Sequence, residues 1–269
     1  MDAALANAHD PRDKSLLEIK WIALGISEPS AGQRHVGLLY RDDSGFIMML
    51  HLRWHHVLGS NTLSARDGKV WSRDESTGVT EELSCLWIAP EVEPEIAPAL
   101  QQLCKVICDK YARNKRSIAY ALRYEKGAFD PASGEFLTED GHGLTCATFV
   151  LALFASYGVQ LVSGGEWIAG RDAARVAEDR VWQEMIVGEL RSRLEKMRKW
   201  RGIDAREIEE LEAHIAAVEG EIGCARFRPE EVAAAGTVSK LPAGFAHSEP
   251  VGRGIIEKLR RCFPPATAD

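Results

Sequence analysis

The sequence predicts an α+β protein: a small antiparallel sheet packed on two apolar helices, with an antiparallel helical hairpin appended. Three observations predict it. Two short apolar stretches, 35–40 (HVGLLY) and 46–54 (FIMMLHLRW), flank a five-residue turn, RDDSG. Asp and Gly accept the backbone angles such a turn needs, so this is the clearest β-hairpin in the chain. Two further stretches, 94–115 and 144–158, carry helical apolar content. Last, 171–200 and 204–222 are highly charged and helical, separated by a break at Arg201, Gly202 and Ile203.

Residues 1–14 are small and polar and predict a flexible terminus. The run 16–25 (LLEIKWIALG) predicts a strand, and 27–33 (SEPSAGQ) a turn-rich loop. Residues 58–83 give little signal. A short strand, 85–88 (CLWI), is stopped by Pro90. From 94 to about 115, Ile96, Leu100, Leu103, Val106, Ile107 and Tyr111 repeat at helical spacing. The segment 117–124 (SIAYALRY) reads as a strand or as irregular chain, and 126–143 as a Gly- and Asp-rich loop.

The stretch 144–158 (LTCATFVLALFASYG) is a buried helix, capped by Thr145 or an earlier residue and followed by Gly158. In the charged region Ile208, Leu211, Ile215, Val218 and Ile222 alternate by three and four, the pattern of a helix that docks on its own domain or on a partner. A Pro-started helix follows at 226–236, then a loop at 237–250, a short helix at 255–262 and a tail at 263–269. The helical hairpin at 170–222 separates two parts of the chain, 15–165 and 225–262, which the resemblance described below joins into one domain.

With 45% hydrophobic and 27% charged residues the chain of 269 is globular in composition. A net charge of -7 opposes general binding to nucleic acid. No run of about 20 uncharged apolar residues appears, so no integral membrane segment is expected. The first residues lack the basic-then-apolar order of a secretory signal, which points to the cytoplasm, with signal-less export as an effector left open. The six cysteines are scattered and read as thiols.

Cys146 stands out among them. It lies in the first turn of the apolar helix, after DGHGLT, where free N–H groups and the helix dipole favour a thiolate and can hold an oxyanion. His35 opens a strand after a turn, and His51 lies on the return strand of the same hairpin. A thiol needs a base, and a base needs a group that fixes its tautomer, so the pair suits that division of labour. His142, four residues before Cys146, competes for the role of base.

Two metal readings are weaker. Cys104 and Cys108 sit four apart on a helix, where two buried small residues are the ordinary reading. His51 with His55 and His56 lies in a strand, without the HExxH spacing of a zinc helix. Trp54, Trp71 and Trp87 can line a groove or pack in the core. The basic run 191–201 (RSRLEKMRKWR) can meet an acidic surface or pair with the acidic helix beside it.

These residues carry a resemblance. The order His, second polar residue, then Cys resembles the circularly permuted papain-like cysteine hydrolases of the NlpC type, which include bacterial amidase-like members and lecithin:retinol acyltransferase-like enzymes. The strand motif stands as His35-Val36-Gly37-Leu38-Leu39-Tyr40. The second strand is matched by Leu50-His51-Leu52, and the nucleophile helix by Cys146-Ala147-Thr148-Phe149-Val150. A Pro-led acidic segment near the end is matched by Arg228-Pro229-Glu230-Glu231-Val232. The acyltransferase branch has N-C-E-H at the nucleophile where this chain has T-C-A-T, so the resemblance leans to the amidase-like branch.

It implies a permuted papain-like core and a hydrolase of amide, peptide or isopeptide bonds, with Cys146 as nucleophile, His35 as base and His51 as orienter. It implies no cofactor and no metal. The expected partner is a peptide, protein or acyl-amide substrate, with a protein partner or self-association possible through 170–222. The alternatives are an inactive papain-like binding module acting through that hairpin, and a lipid acyltransferase or phospholipase of the same superfamily.

Overall fold

The computed structural model describes residues 2–30, 32–53, 57–113, 118–124, 127–137, 143–200 and 202–264. Its centre is a curled antiparallel sheet in the order β6-β5-β4-β3-β2-β1-β7. The strands are β1 (Ile22–Ser30), β2 (Gln33–Arg41), β3 (Ile47–Leu52), β4 (Leu58–Arg66), β5 (Lys69–Asp74), β6 (Thr80–Glu82) and β7 (Cys85–Ile88). A small second ribbon pairs β8 (Ala128–Phe129) with β9 (Phe136–Leu137). The helices are α1 (Asp2–Ala6), α2 (Ile96–Ile107, continued by a π turn over Cys108–Arg113), α3 (Cys146–Ala155), α4 (Gly164–Ala169), α5 (Ala173–Lys199), α6 (Ala205–Gly220), α7 (Pro229–Ala235) and α8 (Phe245–Cys262).

The hairpin at 41–45 forms as expected. Asp42 Oδ1 accepts the Ser44 and Phe46 N–H groups at 2.9 and 2.8 Å, and Gly45 takes the positive φ of 86° that the turn requires. Strand alternation then sorts β2. Val36, Leu38 and Tyr40 face the main core, with α2, α3, α7 and α8, while Leu39 faces a second core with Met49, Leu63, Val70 and Trp87. α3 is apolar on every side and buried throughout the core, as 144–158 predicted.

Several expectations change. The N-terminus is docked, not flexible: His9 exchanges backbone hydrogen bonds with Trp87, Ala8 is fully buried, and Lys258 Nζ donates to Ala8 O at 2.7 Å. Small polar residues hide such pairing because the backbone makes it. The loop expected at 27–33 is mostly strand, since β1 runs on to Ser30 beside β2, with a shifted register between Ser27 and Ser30. The strand expected to begin at 16 opens instead with a 3₁₀ turn (Leu16–Glu18), and β1 starts at Ile22.

The quiet stretch 58–83 holds three strands. Their signal was hidden because Ser60, Asn61, Ser72 and Asp74 are polar yet buried. The loop expected at 237–250 is already helical from Phe245. Pro250 lies inside α8, and burial of Val251, Ile255 and Ile256 carries the helix past it. Gly252 lets α8 cross closely over α7, where a Cβ would meet Glu230 O at 2.9 Å.

The helical hairpin α5–α6 turns inward. Ile186, Val187, Leu190, Leu194, Ile215 and Val218 close over Tyr120 and Leu122, with Leu211 partly buried beside them. The basic run pairs with its acidic neighbour: Arg198 bonds Glu195 at 2.8 Å and Glu212 at 2.6 Å, and Arg191 meets Glu219. Among the described residues no helix is long and apolar enough to cross a membrane.

Candidate active site

β2 and β3 pair with Leu38 opposite Leu50, which sets Gly37 opposite His51. β3 and β4 pair His51 with Gly59. The His51 ring is therefore flanked by a glycine on each neighbouring strand. A Cβ on Gly37 would meet His51 Cβ at 2.8 Å, and one on Gly59 would meet His51 Nε2 at 2.7 Å. The two glycines are the space the imidazole occupies.

His35 Nε2 lies 2.7 Å from His51 Nδ1, with the rings edge to face. His51 Nε2 lies 3.1 Å from Asn61 Oδ1 on β4. Asn61 Nδ2 donates to Ser72 Oγ on β5 at 2.7 Å. Four strands thus carry one polar chain. Arg53 clamps it from beside β3: Nη2 donates to Asn61 Oδ1 at 2.6 Å, and Nη1 pairs with Asp74.

The shorter contacts select one pair of tautomers. Guanidinium only donates, so the Asn61 atom facing Arg53 is the amide oxygen. That oxygen also faces His51, so His51 carries its proton on Nε2 and accepts at Nδ1. His35 must then donate from Nε2, which leaves Nδ1 as a lone pair. Arg53 Nε–H also points at His51 Nε2, at 3.3 Å, and would favour the opposite tautomer. The contact to Asn61 is the shorter of the two, and we assign the proton on it.

Burial lowers the His35 pKa to about 4, with the Arg53 charge adding to it. Burial, His35 and Arg53 likewise hold His51 well below its usual range. Burial works against the Asp74 carboxylate, but hydrogen bonds from Ser76, Arg53 and Thr77 outweigh it and hold the group strongly ionised.

Cys146 is the first residue of α3. Thr145 caps the helix, its hydroxyl accepting from Thr148 N at 3.2 Å while Thr148 Oγ1 accepts from Thr145 N at 2.7 Å. The cap leaves the N–H groups of Cys146 and Ala147 outside the helical ladder. Both face the sulfur, as does the N–H of Val36, the neighbour of His35 on β2. The thiol therefore stands one residue along the strand from His35. No hydrogen bond joins the sulfur to either imidazole among the described residues.

Burial raises the Cys146 pKa, opposed by the Val36 N–H, the charge of Arg226 and the two helix N–H groups. This corrects the sequence expectation of a depressed thiol: the helix N-terminus is present, but desolvation outweighs it.

The other cysteines are more enclosed or differently placed. Cys85, Cys104 and Cys108 are fully buried, with Cys85 pushed up to about 12 by burial. Cys104 and Cys108 belong to the apolar core. Trp87 is buried, its Nε1 donating to Lys14 O at 3.1 Å, and so lines no groove. Trp71 lies beneath Arg66. His142, His55, His56 and Trp54 lie outside the described residues. Among the described residues no group of three or more His, Cys, Asp and Glu side chains is placed to hold a metal ion.

Sequence reasoning selected Cys146, His35 and His51 but not Asn61, Arg53 or Asp74. Their only trace was Gly59, which marks a strand position where a neighbouring side chain must cross. No family model, curated protein or solved structure matches the chain.

Proposed function

We propose that this chain is a thiol hydrolase with a circularly permuted papain-like core, acting on an amide, peptide or isopeptide bond. The observation that carries the reading is the His35–His51–Asn61 chain on neighbouring strands, together with a half-buried thiol at the start of α3 that is influenced by the N–H of Val36, the neighbour of His35. Strand-borne histidines followed by a helix-borne cysteine is also the order of the permuted family.

In this reading His35 Nδ1 takes the Cys146 proton as the sulfur bonds to the carbonyl carbon. The carbonyl oxygen becomes an oxyanion, and the N–H groups of Cys146, Ala147 and Val36 are the donors at hand. His35 then gives its proton to the leaving nitrogen as the C–N bond breaks. Water, deprotonated by His35, attacks the thioester and releases the acid, and the sulfur recovers its proton. Thiol and imidazole start neutral, because burial raises one pKa and lowers the other. Proton transfer therefore accompanies attack and does not precede it.

The alternative of an inactive binding module keeps the outer face of α5, where Val181 and Met185 are exposed among the charges, but not the apolar row of α6. Leu211 and Ile215, the apolar residues a partner would grip, already pack against Tyr120 and Leu122.

Limiting iodoacetamide on the native protein, with peptide mapping across pH 5 to 10, tests the reading. Cys146 is expected to label ahead of the other five cysteines, its rate still rising past pH 9. His35→Ala should slow it. Labelling no faster than Cys85 or Cys224 would overturn the assignment.

A further inference from the structure

His35 stands where the sheet holds β2 least. The β2–β3 ladder runs from Arg41 opposite Ile47 to Leu38 opposite Leu50, whereas β2 itself begins at Gln33 and β3 ends at Leu52. On the other side, β1 and β2 keep register as far as Ser27 opposite His35, and the register then shifts before Ser30 meets Gln33. His35 is thus the last regular partner of β1 and lies beyond the last pair with β3. Its Nε2 nonetheless lies 2.7 Å from His51 Nδ1 on β3.

Two ion pairs reach this end of the hairpin from the C-terminal helices. Arg34, the neighbour of His35, meets the buried Glu230 of α7. Glu28, the neighbour of Ser27, takes Arg260 of α8 on both oxygens, each at 2.7 Å. Glu28 Oε1 also accepts the Gly32 N–H at 3.1 Å. α7 is in turn gripped from behind. Its Glu231 takes Arg171, Arg175 and the Trp167 indole N–H, and Arg228 ties its start to Asp179 of α5 at 2.8 Å. α7 is therefore a fixed anchor for Arg34.

The Arg34 pair is poorly built for stability alone. It meets through one nitrogen and one oxygen, while Arg34 Nε and Glu230 Oε2 are buried without a partner among the described residues. A bidentate fork would use both. A buried pair gains little net stability after its desolvation. What it does supply is a fixed distance between two elements.

We infer that Arg34 and Glu230 are positioning residues for His35: their ion pair, together with that of Glu28 and Arg260, holds the one-sided end of β2 and so keeps the His35 ring on His51. For the thiol chemistry this rests on the hydrolase reading; the effect on the His35 ring does not. It also gives the segment 228–232 a task that the proposed chemistry leaves unassigned.

The test uses the full chain with isotopically labelled histidine and reads the nitrogen chemical shifts of the two imidazoles. Arg34→Met combined with Glu230→Gln removes both charges, so no buried carboxylate is left alone. In that variant the His35 ring is expected to lose its single tautomer and show the averaged shifts of a free imidazole, while His51 keeps its Nε2 proton against Asn61. Alkylation of Cys146 by iodoacetamide should slow about tenfold. Arg34→Lys keeps a cation for Glu230 and should leave both readouts near the wild type.

Unchanged His35 shifts in the folded double variant would overturn the inference, as would loss of both readouts in Arg34→Lys. So would a joint loss of the His35 and His51 signals with a lowered thermal midpoint, because the pair would then only support the sheet. Where the double variant fails to fold, Arg260→Gln decides. Arg260 is half exposed, and its loss should move the His35 shifts the same way and slow alkylation about threefold. Unmoved shifts there overturn the inference. A Cys146 that is inert in the wild type overturns the hydrolase reading, while the imidazole shifts still decide whether Arg34 and Glu230 hold His35.

Discussion

The two sides of the site are built differently. On the histidine side, polar atoms from Ser72 back to His35 Nε2 have partners, set across four strands and clamped by Arg53 and Asp74. On the thiol side, the sulfur has no side-chain hydrogen bond among the described residues, and the groups that favour its ionised form are the backbone N–H groups of Val36, Cys146 and Ala147 and the Arg226 charge. The difference separates two tasks. Holding a base in one tautomer needs preformed hydrogen bonds. Receiving a substrate needs groups left unpaired until it arrives. A fold can complete the first alone and can only prepare the second.

The largest effect that would break this comparison is on turnover. Cys146→Ser should cut cleavage of any amide substrate by about 10³-fold or more, read as released amine, with an unchanged thermal midpoint. Retained cleavage would remove the thiol from the chemistry.

Next is the seam that joins the hairpin to the thiol side. Ile215 is buried against Tyr120 and Leu122, so Ile215→Asp should cost about 3 kcal/mol in urea unfolding. A change below about 0.5 kcal/mol would mean the hairpin is not docked in solution.

The histidine side predicts an acid-labile window. An unfolded histidine takes its proton near 6.5, whereas His35 in the fold resists until about 4. Between those values the unfolded chain binds more protons, so stability rises with pH. The contribution is complete above pH 6.5 and is lost as pH falls towards 4, at most about 3 kcal/mol. His51 acts in the same direction. Denaturant melts from pH 7 to 4 should show this slope in the wild type and a shallower one in His35→Gln. Equal slopes would show that His35 is not held neutral.

The smallest effect sharpens the tautomer assignment. Asn61→Ala removes the acceptor for His51 Nε2–H and should lower kcat about tenfold with KM unchanged. Nitrogen chemical shifts of the two imidazoles should show a changed tautomer. Asn61→Asp keeps an acceptor and should restore both. A loss seen equally in Asp and Ala variants, without a tautomer change, would leave Asn61 a packing residue.

Much of the site was legible in the sequence because it depends on local order. The 41–45 turn brings the strands of His35 and His51 side by side, and the capped apolar helix places Cys146 at its start. The polar strands β4 and β5 were not legible. Asn61, Ser72 and Asp74 give little signal in the sequence, because their burial is justified only by partners on other strands. The loop expected at 237–250 erred in the opposite sense: packing on α7 keeps α8 intact from Phe245 past Pro250.

By itself the sequence determined the α+β class, the central hairpin, the capped apolar helix that begins at Cys146 and the charged helical pair. Periodicity, turn residues and caps act within a few neighbouring residues, and the chain carries them wherever it goes. Only the tertiary structure decided the rest. It set the Asn61 and Arg53 clamp on His51, the inward docking of the hairpin, and the desolvation that raises the Cys146 thiol. Each of these depends on desolvation and on partners distant in sequence, and such energies do not exist until the chain has folded.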